Sequence, residues 1–175
     1  IKRDEIDMLG YGGVTALAAK LLEKAENIKL ITSPGIGLEW LTFNLYQEGT
    51  LQDLAVRKAI VHSIDKERII KMIYHGQADI ADSFIYPELP DYNPNLPQYE
   101  YSIETSNKLL DDAGYMDTDG DGFRNDPKSG KNLDFKFLVP SSSTEEVKLA
   151  SLMRESLKDV GVGIKLNVVD VDTYY

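Results

Sequence analysis

The final part of the sequence constrains the fold most, because it alternates between strand and helix patterns. LDFKFLV (133–139) places every second residue on one apolar face, and VGIKLNVV (162–169) alternates in the same way. The segment 144–160 has apolar residues at helical spacing and follows a capping box of Ser143 and Glu146. Strand, helix and strand within about 40 residues predict a βαβ unit with a parallel pair and a right-handed crossover. The expected fold class is α/β, a mixed sheet flanked by helices.

The preceding sequence predicts further helices that have clear start and stop signals. These helices cover 14–25, 53–63, 66–75 and 103–113, with Asp53, Asp65 and Ser102 as N-caps and Gly76 and Gly114 as stops. In the first helix, Leu17, Leu21 and Leu22 are expected to face inward. Asp172 is expected to cap a last helix that the sequence barely begins.

Two extended segments and one long loop complete this pattern. IKLITS (28–33) and LEWLTFNL (38–45) read as strands. The second should place Leu41, Phe43 and Leu45 on one face and Trp40, Thr42 and Asn44 on the other. The segment 82–101 carries four prolines and five aromatic residues without periodicity, so we expect a loop packed on the body of the protein.

Composition excludes several classes of protein. The formal net charge of −10 argues against nucleic acid as a partner, since phosphates attract Lys and Arg. The chain has no cysteine, which excludes disulfides, Cys-ligated zinc and thiol catalysis. No run of about 18 apolar residues is present, and the charged start IKRDE does not resemble a signal peptide. Because residue 1 is Ile, we expect a processed or cut piece of a longer chain.

No catalytic constellation is evident. His62 and His75 lie on different predicted helices without metal-ligand spacing. The serines at 141–143 lack a nucleophile-elbow motif, and GYGG (10–13) lacks the rest of a phosphate-binding loop. The loop VPSSST, which runs from the end of a strand into a helix N-terminus, instead suits an anion or a peptide carboxylate. An ordinary capped turn explains the same residues about as well.

The acidic stretch DTDGDGFRND (117–126) resembles the start of a calcium loop. Asp117, Asp119 and Asp121 take the first, third and fifth positions, and the Phe123 carbonyl can serve at the seventh. The twelfth position, where a glutamate is needed, is Lys128, and Asp126 could substitute only from another register. Asp and Gly also favour tight turns. We slightly prefer a plain turn to a weak calcium site.

Several stretches together resemble family 5 extracytoplasmic solute-binding proteins, the oligopeptide, dipeptide and nickel receptors of ABC importers. The most specific is VRKAIVHSIDKERIIKMIYHGQA (56–78). RDEIDM (3–8), LTFNL (41–45), YEYSIETSNKLLDDAGYMDTDGDG (99–122) and DVGVGIKLNVVDVDTY (159–174) resemble other family elements in the same order. The resemblance implies a lobe of the periplasmic-binding-protein type, class II. It also implies that residues 1–45 end a first lobe with hinge-region strands, while 46–175 form part of the C-terminal lobe.

This resemblance implies binding without chemistry. Its ligand would be a peptide or another small solute, its partners ABC permease subunits, and its location extracytoplasmic, tethered to the membrane. A monomer is expected. The ligand-binding positions carried over are Trp40, Asn44, Ser141, Ser142, Ser143 and Thr144. Dipeptide-binding relatives supply an arginine from the loop after the strand at 133–139, whereas this chain has none between Arg124 and Arg154.

Two other functions remain open on the sequence alone. One is a hydrolase domain that uses the acidic cluster as a metal site or acid–base pair. The other is a small calcium-stabilised structural module.

Overall fold

The structure is a computed structural model that describes residues 7–8, 14–33, 35 and 37–174 of the 175. In chain order the helices are α1 (Ala16–Leu22), α2 (Leu54–Ser63), α3 (Lys66–Met72), α4 (Ile103–Asp112), α5 (Thr144–Lys158) and α6 (Val171–Tyr174). A short 3-10 turn covers Thr50–Gln52. The strands are β1 (Asp134–Pro140) and β2 (Gly163–Val169).

The predicted βαβ unit is confirmed. Strands β1 and β2 pair in parallel, in a register that runs from Asp134 opposite Gly163 to Pro140 opposite Val169. Helix α5 connects the two strands, and its buried residues Met153 and Leu157 lie on the side that the sequence pattern predicts. The carboxyl ends of both strands therefore lie at one edge of the sheet, next to the start of α5.

The core joins this unit to the pair of helices α2 and α4. Val56, Ala59 and Ile60 of α2 are buried against Leu110 of α4, as their helical spacing predicts. The same cluster includes Tyr115, which follows α4, and continues into the βαβ unit through Leu133, Leu157, Val160 and Val162. A buried hydrogen bond from Ser106 Oγ to the Ala59 carbonyl, 2.8 Å long, fixes α4 on α2.

The predicted helix caps are present. The side chains of Asp53, Asp65, Ser102 and Ser143 each accept a hydrogen bond from a backbone N–H in the first turn of their helix. Gly114 ends α4 with a φ of +84°, a conformation that favours glycine. These short-range signals set most of the helix boundaries. The segment 82–101 contains no regular helix or strand, as expected, but most of its residues are exposed, so it packs on the body of the protein less than predicted.

The prediction for the first helix was partly wrong. α1 is shorter than expected, and Leu17 and Leu21 are 54% and 55% exposed, whereas Ala19 is buried. An apolar stripe on a helix shows which face seeks burial, but it supplies no surface to cover that face.

The extended segments also differ from prediction. Within 28–33 and 38–45 the described residues form no strand ladder. Leu41 and Phe43 nevertheless pack against the core, while Leu45 is exposed. A strand requires a neighbour for its backbone groups, and alternation along one segment cannot provide it.

Two further sequence predictions concern the chain termini. Helix α6 begins at Val171, two residues earlier than a cap at Asp172 predicts, and Asp170 rather than Asp172 accepts the hydrogen bond from the Thr173 N–H, at 3.0 Å. GYGG (10–13) and most of RDEIDM (3–8) lie outside the described residues. The division at residue 45 stays a prediction.

Candidate functional site

The loop at 141–144 lies where β1 passes into α5. The Ser141 N–H donates to the Val169 carbonyl at 2.7 Å, which fixes the loop beside the end of β2. Ser143 Oγ accepts from the Glu146 N–H at 3.1 Å and caps α5. Ser141, Ser142 and Thr144 are exposed. The loop thus presents polar groups at the carboxyl edge of the parallel pair, and we call residues 141–144 the ledge.

The second group of predicted ligand residues lies on the segment 38–45. Its inner side chains, Leu41 and Phe43, contact the core, and its outer side chains are open. Trp40 is 64% exposed, and its ring meets that of Phe84 edge to face, with centroids 5.7 Å apart and planes at 67°. Asn44 is exposed, and its Oδ1 accepts from the Tyr46 N–H at 3.0 Å. The alternation predicted for this segment therefore holds at Trp40 through Asn44.

Electrostatics connect these two groups. Burial, and then the negative charge of Glu146, raise the pKa of Glu39, the residue before Trp40. Burial, followed by the charges of Glu39, Glu146 and Glu145, raises the pKa of Tyr74. The segment 38–45 and the first turn of α5 therefore share one electronegative region. Sequence reasoning missed Glu39 and Tyr74, since no local pattern relates residues so far apart in the chain.

The acidic turn is a compact cluster of carboxylates. One oxygen each of Asp117, Asp119 and Asp121 lies within 4.8 Å of the other two. Asp117 accepts from the Gly120 N–H at 2.7 Å and from the Gly122 N–H at 3.0 Å. The hydrogen bond from Gly120 is the first cause of the lowered pKa of Asp117. The backbone of the turn thus already supplies donors to these oxygens.

Asp121 continues this arrangement towards the following strand. Its Oδ1 accepts from the Phe123 N–H at 2.8 Å, and its Oδ2 accepts from Asn132 Nδ2 at 2.6 Å. Asn125, at the ninth position of the calcium-type numbering, is buried and accepts from both the N–H and the hydroxyl of Thr118, each at 2.7 Å. These bonds give the turn a definite shape from protein groups alone.

Asp126 belongs to a separate turn. It accepts from the Lys128 N–H at 3.0 Å and from Ser129 Oγ at 2.7 Å, and the first of these bonds is the main cause of its lowered pKa. Within the described part of the chain, the carboxylate cluster contains Asp117, Asp119 and Asp121 without Asp126. The plain turn, which we slightly prefer to a weak calcium site with or without the Phe123 carbonyl, stays a prediction.

A shallow hollow lies at the opposite end of the βαβ unit. Its lining includes Asp134 and Gly163 at the starts of the strands, and Arg154 and Lys158 on α5. It is open to solvent and lies at the amino ends of the strands, away from the loop at 141–144. We do not assign the ligand site there, because ligands of open α/β sheets bind at the carboxyl ends.

None of the helices in the described ranges has both the length and the hydrophobicity to cross a membrane.

The family profile described as "Bacterial extracellular solute-binding proteins, family 5 Middle" matches residues 1–175. The oligopeptide-binding protein AppA of Bacillus subtilis is 27% identical over 93% of this chain and 30% of its own length. The dipeptide-binding protein of Escherichia coli is 29% identical over 65% of this chain and 21% of its own length.

Solved structures agree with these sequence similarities. NikZ from Campylobacter jejuni, in complex with Ni(L-His), is 26% identical with a TM-score of 0.78, over 92% of this chain and 32% of that protein. AppA in complex with a nonapeptide is 27% identical with a TM-score of 0.65, over 70% of this chain and 24% of that protein. The chain therefore spans about a third or less of the proteins it resembles. It belongs to the bacterial extracellular solute-binding proteins of family 5.

Proposed function

We propose that this chain is part of the solute-binding subunit of an ABC importer that takes up oligopeptides. The observation that carries the proposal is the family match over the whole chain, together with relatives named as oligopeptide- and dipeptide-binding proteins. The family and these relatives are transport proteins, so they give no support to the hydrolase alternative. The parent protein would work outside the cytoplasm, tethered to the membrane, and would deliver its ligand to permease subunits.

The geometry supports a ligand surface made of two parts. The ledge at 141–144 offers exposed hydroxyls and the N-terminus of α5, and the outer face of 38–45 offers Trp40 and Asn44. A helix N-terminus presents free N–H groups, which suit a carboxylate or a peptide carbonyl. Affinity in such a receptor would come from closing two lobes around the ligand, a hinge motion that excludes water.

The proposed ligand is a peptide, although nickel complexes bind to one similar structure. With no arginine between Arg124 and Arg154, a peptide carboxylate would depend on backbone N–H groups and serine hydroxyls in this part of the site. Glu145 and Glu146 follow the ledge directly, so a ligand group with high negative charge would be disfavoured there.

The experiment compares two bulky substitutions in the full-length protein that carries this chain. Ser142→Trp blocks the ledge, and Lys131→Trp places the same side chain at an exposed position near the amino end of β1. In calorimetry with a library of di- to pentapeptides, Ser142→Trp should lose at least about tenfold in affinity. Lys131→Trp should bind the same peptides like the wild type. Equal affinities for both variants would contradict the proposed surface, and failure of the wild type to bind any peptide would contradict the proposed ligand.

A further inference from the structure

The loop 82–101 is long for a connection without helix or strand. Loops of this length inside a compact domain are usually either functional or disordered. This loop is fixed near both ends. Asp82 lies 4.0 Å from the Lys66 ammonium, and the Glu100 carbonyl accepts from His62 Nδ1 at 2.7 Å. The His62 carbonyl also accepts from the Ser102 N–H at 2.8 Å. Both anchors lie on or beside α2 and α3, so the loop is held in place without regular structure of its own.

Phe84 lies close to the first anchor of this loop. Ser83 Oγ accepts from the Ile85 N–H at 2.9 Å, which fixes the backbone around Phe84. The Phe84 ring is 75% exposed, yet it meets Trp40 edge to face at 5.7 Å. Edge-to-face geometry is the arrangement that two aromatic rings prefer. The loop thus places one ring against the indole and leaves most of both rings open.

We infer that Phe84 is a specificity-determining residue, which orients Trp40 and forms with it an apolar wall for an aromatic or large aliphatic side chain of the bound peptide. This inference rests on the proposed function. Trp40 shares its exposed face with Asn44, whose amide can bond to a peptide backbone, so the wall is continuous with the candidate ligand surface. Adjacent exposed aromatic residues commonly mark a binding surface and supply contact area at low cost in side-chain entropy.

Two features of the chain favour a peptide side chain as the group that contacts Trp40 and Phe84. Side chains alternate between core and solvent from Trp40 to Asn44, so a peptide lying along this segment would present alternate side chains towards the same surface. Phe84 is also largely solvated, so the core would lose little if the ring were removed. If the ring served only folding, Phe84→Ala would have little effect on either stability or affinity. If it serves recognition, the loss of affinity should depend on which peptide is bound.

The experiment uses the full-length protein with Phe84→Ala and a matched control, Leu89→Ala, on the same loop and also exposed. Peptides that bind the wild type are compared in pairs that differ by Phe or Leu against Ala at one position. For Phe84→Ala we expect about a three- to tenfold loss of affinity for the peptide with the large side chain, and little change for its alanine partner. Leu89→Ala should change the affinity for neither peptide of a pair.

Either of two outcomes would overturn the inference while the proposed function stands. Unchanged affinity in Phe84→Ala would show that the ring does not meet the ligand. An equal loss for both members of every pair would show a general effect on the fold. If the wild type binds peptides but no pair distinguishes the variant, the proposed function stands and this inference fails. If the wild type binds no peptide, both fail.

Discussion

Arg124 donates a hydrogen bond from Nε to the carbonyl oxygen of Val160, at 2.9 Å. This bond joins the acidic turn to the end of α5, because Arg124 follows the turn and Val160 precedes β2. The guanidinium also contacts Asp111 at 2.6 Å and Asn107 at 2.9 Å, both on α4. Its side chain is only 13% exposed. One arginine thus holds α4, the acidic turn and the βαβ unit together.

Replacing Arg124 should therefore be costly. Arg124→Ala removes a largely buried set of charged hydrogen bonds and takes away the guanidinium donors to the carbonyls of Val160 and Tyr115. We expect a loss of about 2–4 kcal/mol in the free energy of unfolding, measured by urea denaturation. Lys108→Ala is the control, since Lys108 and Asp112 form an exposed pair on α4 whose attraction is screened by water, so this variant should lose much less stability than Arg124→Ala. Similar losses for the two variants would refute the central role of Arg124.

Tyr115 predicts a pH dependence at the alkaline end. Burial first, then the charge of Asp53 and the hydrogen bond to it, raise the pKa of Tyr115 to about 12, from 10.0 in an unperturbed tyrosine. Between these values the unfolded chain releases the phenolic proton while the folded chain keeps it. The stability from Tyr115 is therefore complete below pH about 10 and is lost as the pH rises towards about 12.

The measurement is urea denaturation of the wild type and Tyr115→Phe at several pH values from 8 to 12. At neutral pH the variant should lose roughly 0.5–1 kcal/mol, because the bond from Tyr115 Oη to Asp53 is long, at 3.3 Å. Between about pH 10 and 12 the free energy of unfolding should fall more steeply with pH for the wild type than for Tyr115→Phe. If the free energy of unfolding fell equally with pH in the two proteins, the pKa of Tyr115 would not be raised by folding.

Sequence reasoning was most successful where the structural cause is local. A cap such as Ser143 acts on an N–H only three residues away, and the strand pattern of 133–139 depends on alternate neighbours. It was less successful where burial requires a distant partner. Leu17 and Leu21 have the right spacing, but nothing in that spacing says what would cover them.

The candidate site shows the same limit. The ledge at 141–144 could be predicted, because a strand, a polar loop and a helix follow one another along the chain. The contact between Trp40 and Phe84 could not, since it joins two irregular segments that are far apart in sequence. The network around Arg124 was missed for the same reason: its partners Asn107, Asp111 and Val160 come from separate elements.

Trp40 is the single tryptophan of the chain and reports directly on the outer face of 38–45. Because its ring is largely exposed, we expect acrylamide to quench its fluorescence readily. Acrylamide is preferable to iodide, since an acidic protein repels anions. Phe84→Ala should increase quenching further, by removing the ring that contacts the indole. Full protection of Trp40 in this chain would mean that it is a core residue.

The acidic turn should respond little to calcium. Its carboxylate oxygens already accept hydrogen bonds from the Gly120 and Gly122 N–H groups and from Asn132, and the twelfth position is Lys128. We expect the melting temperatures in about 5 mM calcium and in chelator to agree within about one degree. A site with a millimolar dissociation constant would instead raise the melting temperature by roughly 2–4 degrees.

Asp119→Ala is the control for calcium. Asp119 lies exposed on the turn and accepts a long hydrogen bond, 3.4 Å, from the Asp121 N–H, so its removal should leave the melting temperature in chelator nearly unchanged. A gain of several degrees with calcium in the wild type, absent from Asp119→Ala, would show that the turn is a metal site.

The central claim is that this chain supplies one wall of a peptide site whose affinity requires closure of two lobes. The most direct measurement is a calorimetric titration of the 175-residue chain and of the full-length protein with the same di- to pentapeptide library. We predict binding at about micromolar or better for the full-length protein, and no measurable binding for the chain, although the chain is folded. Micromolar binding by the chain alone, or no binding by the full-length protein, would contradict the claim.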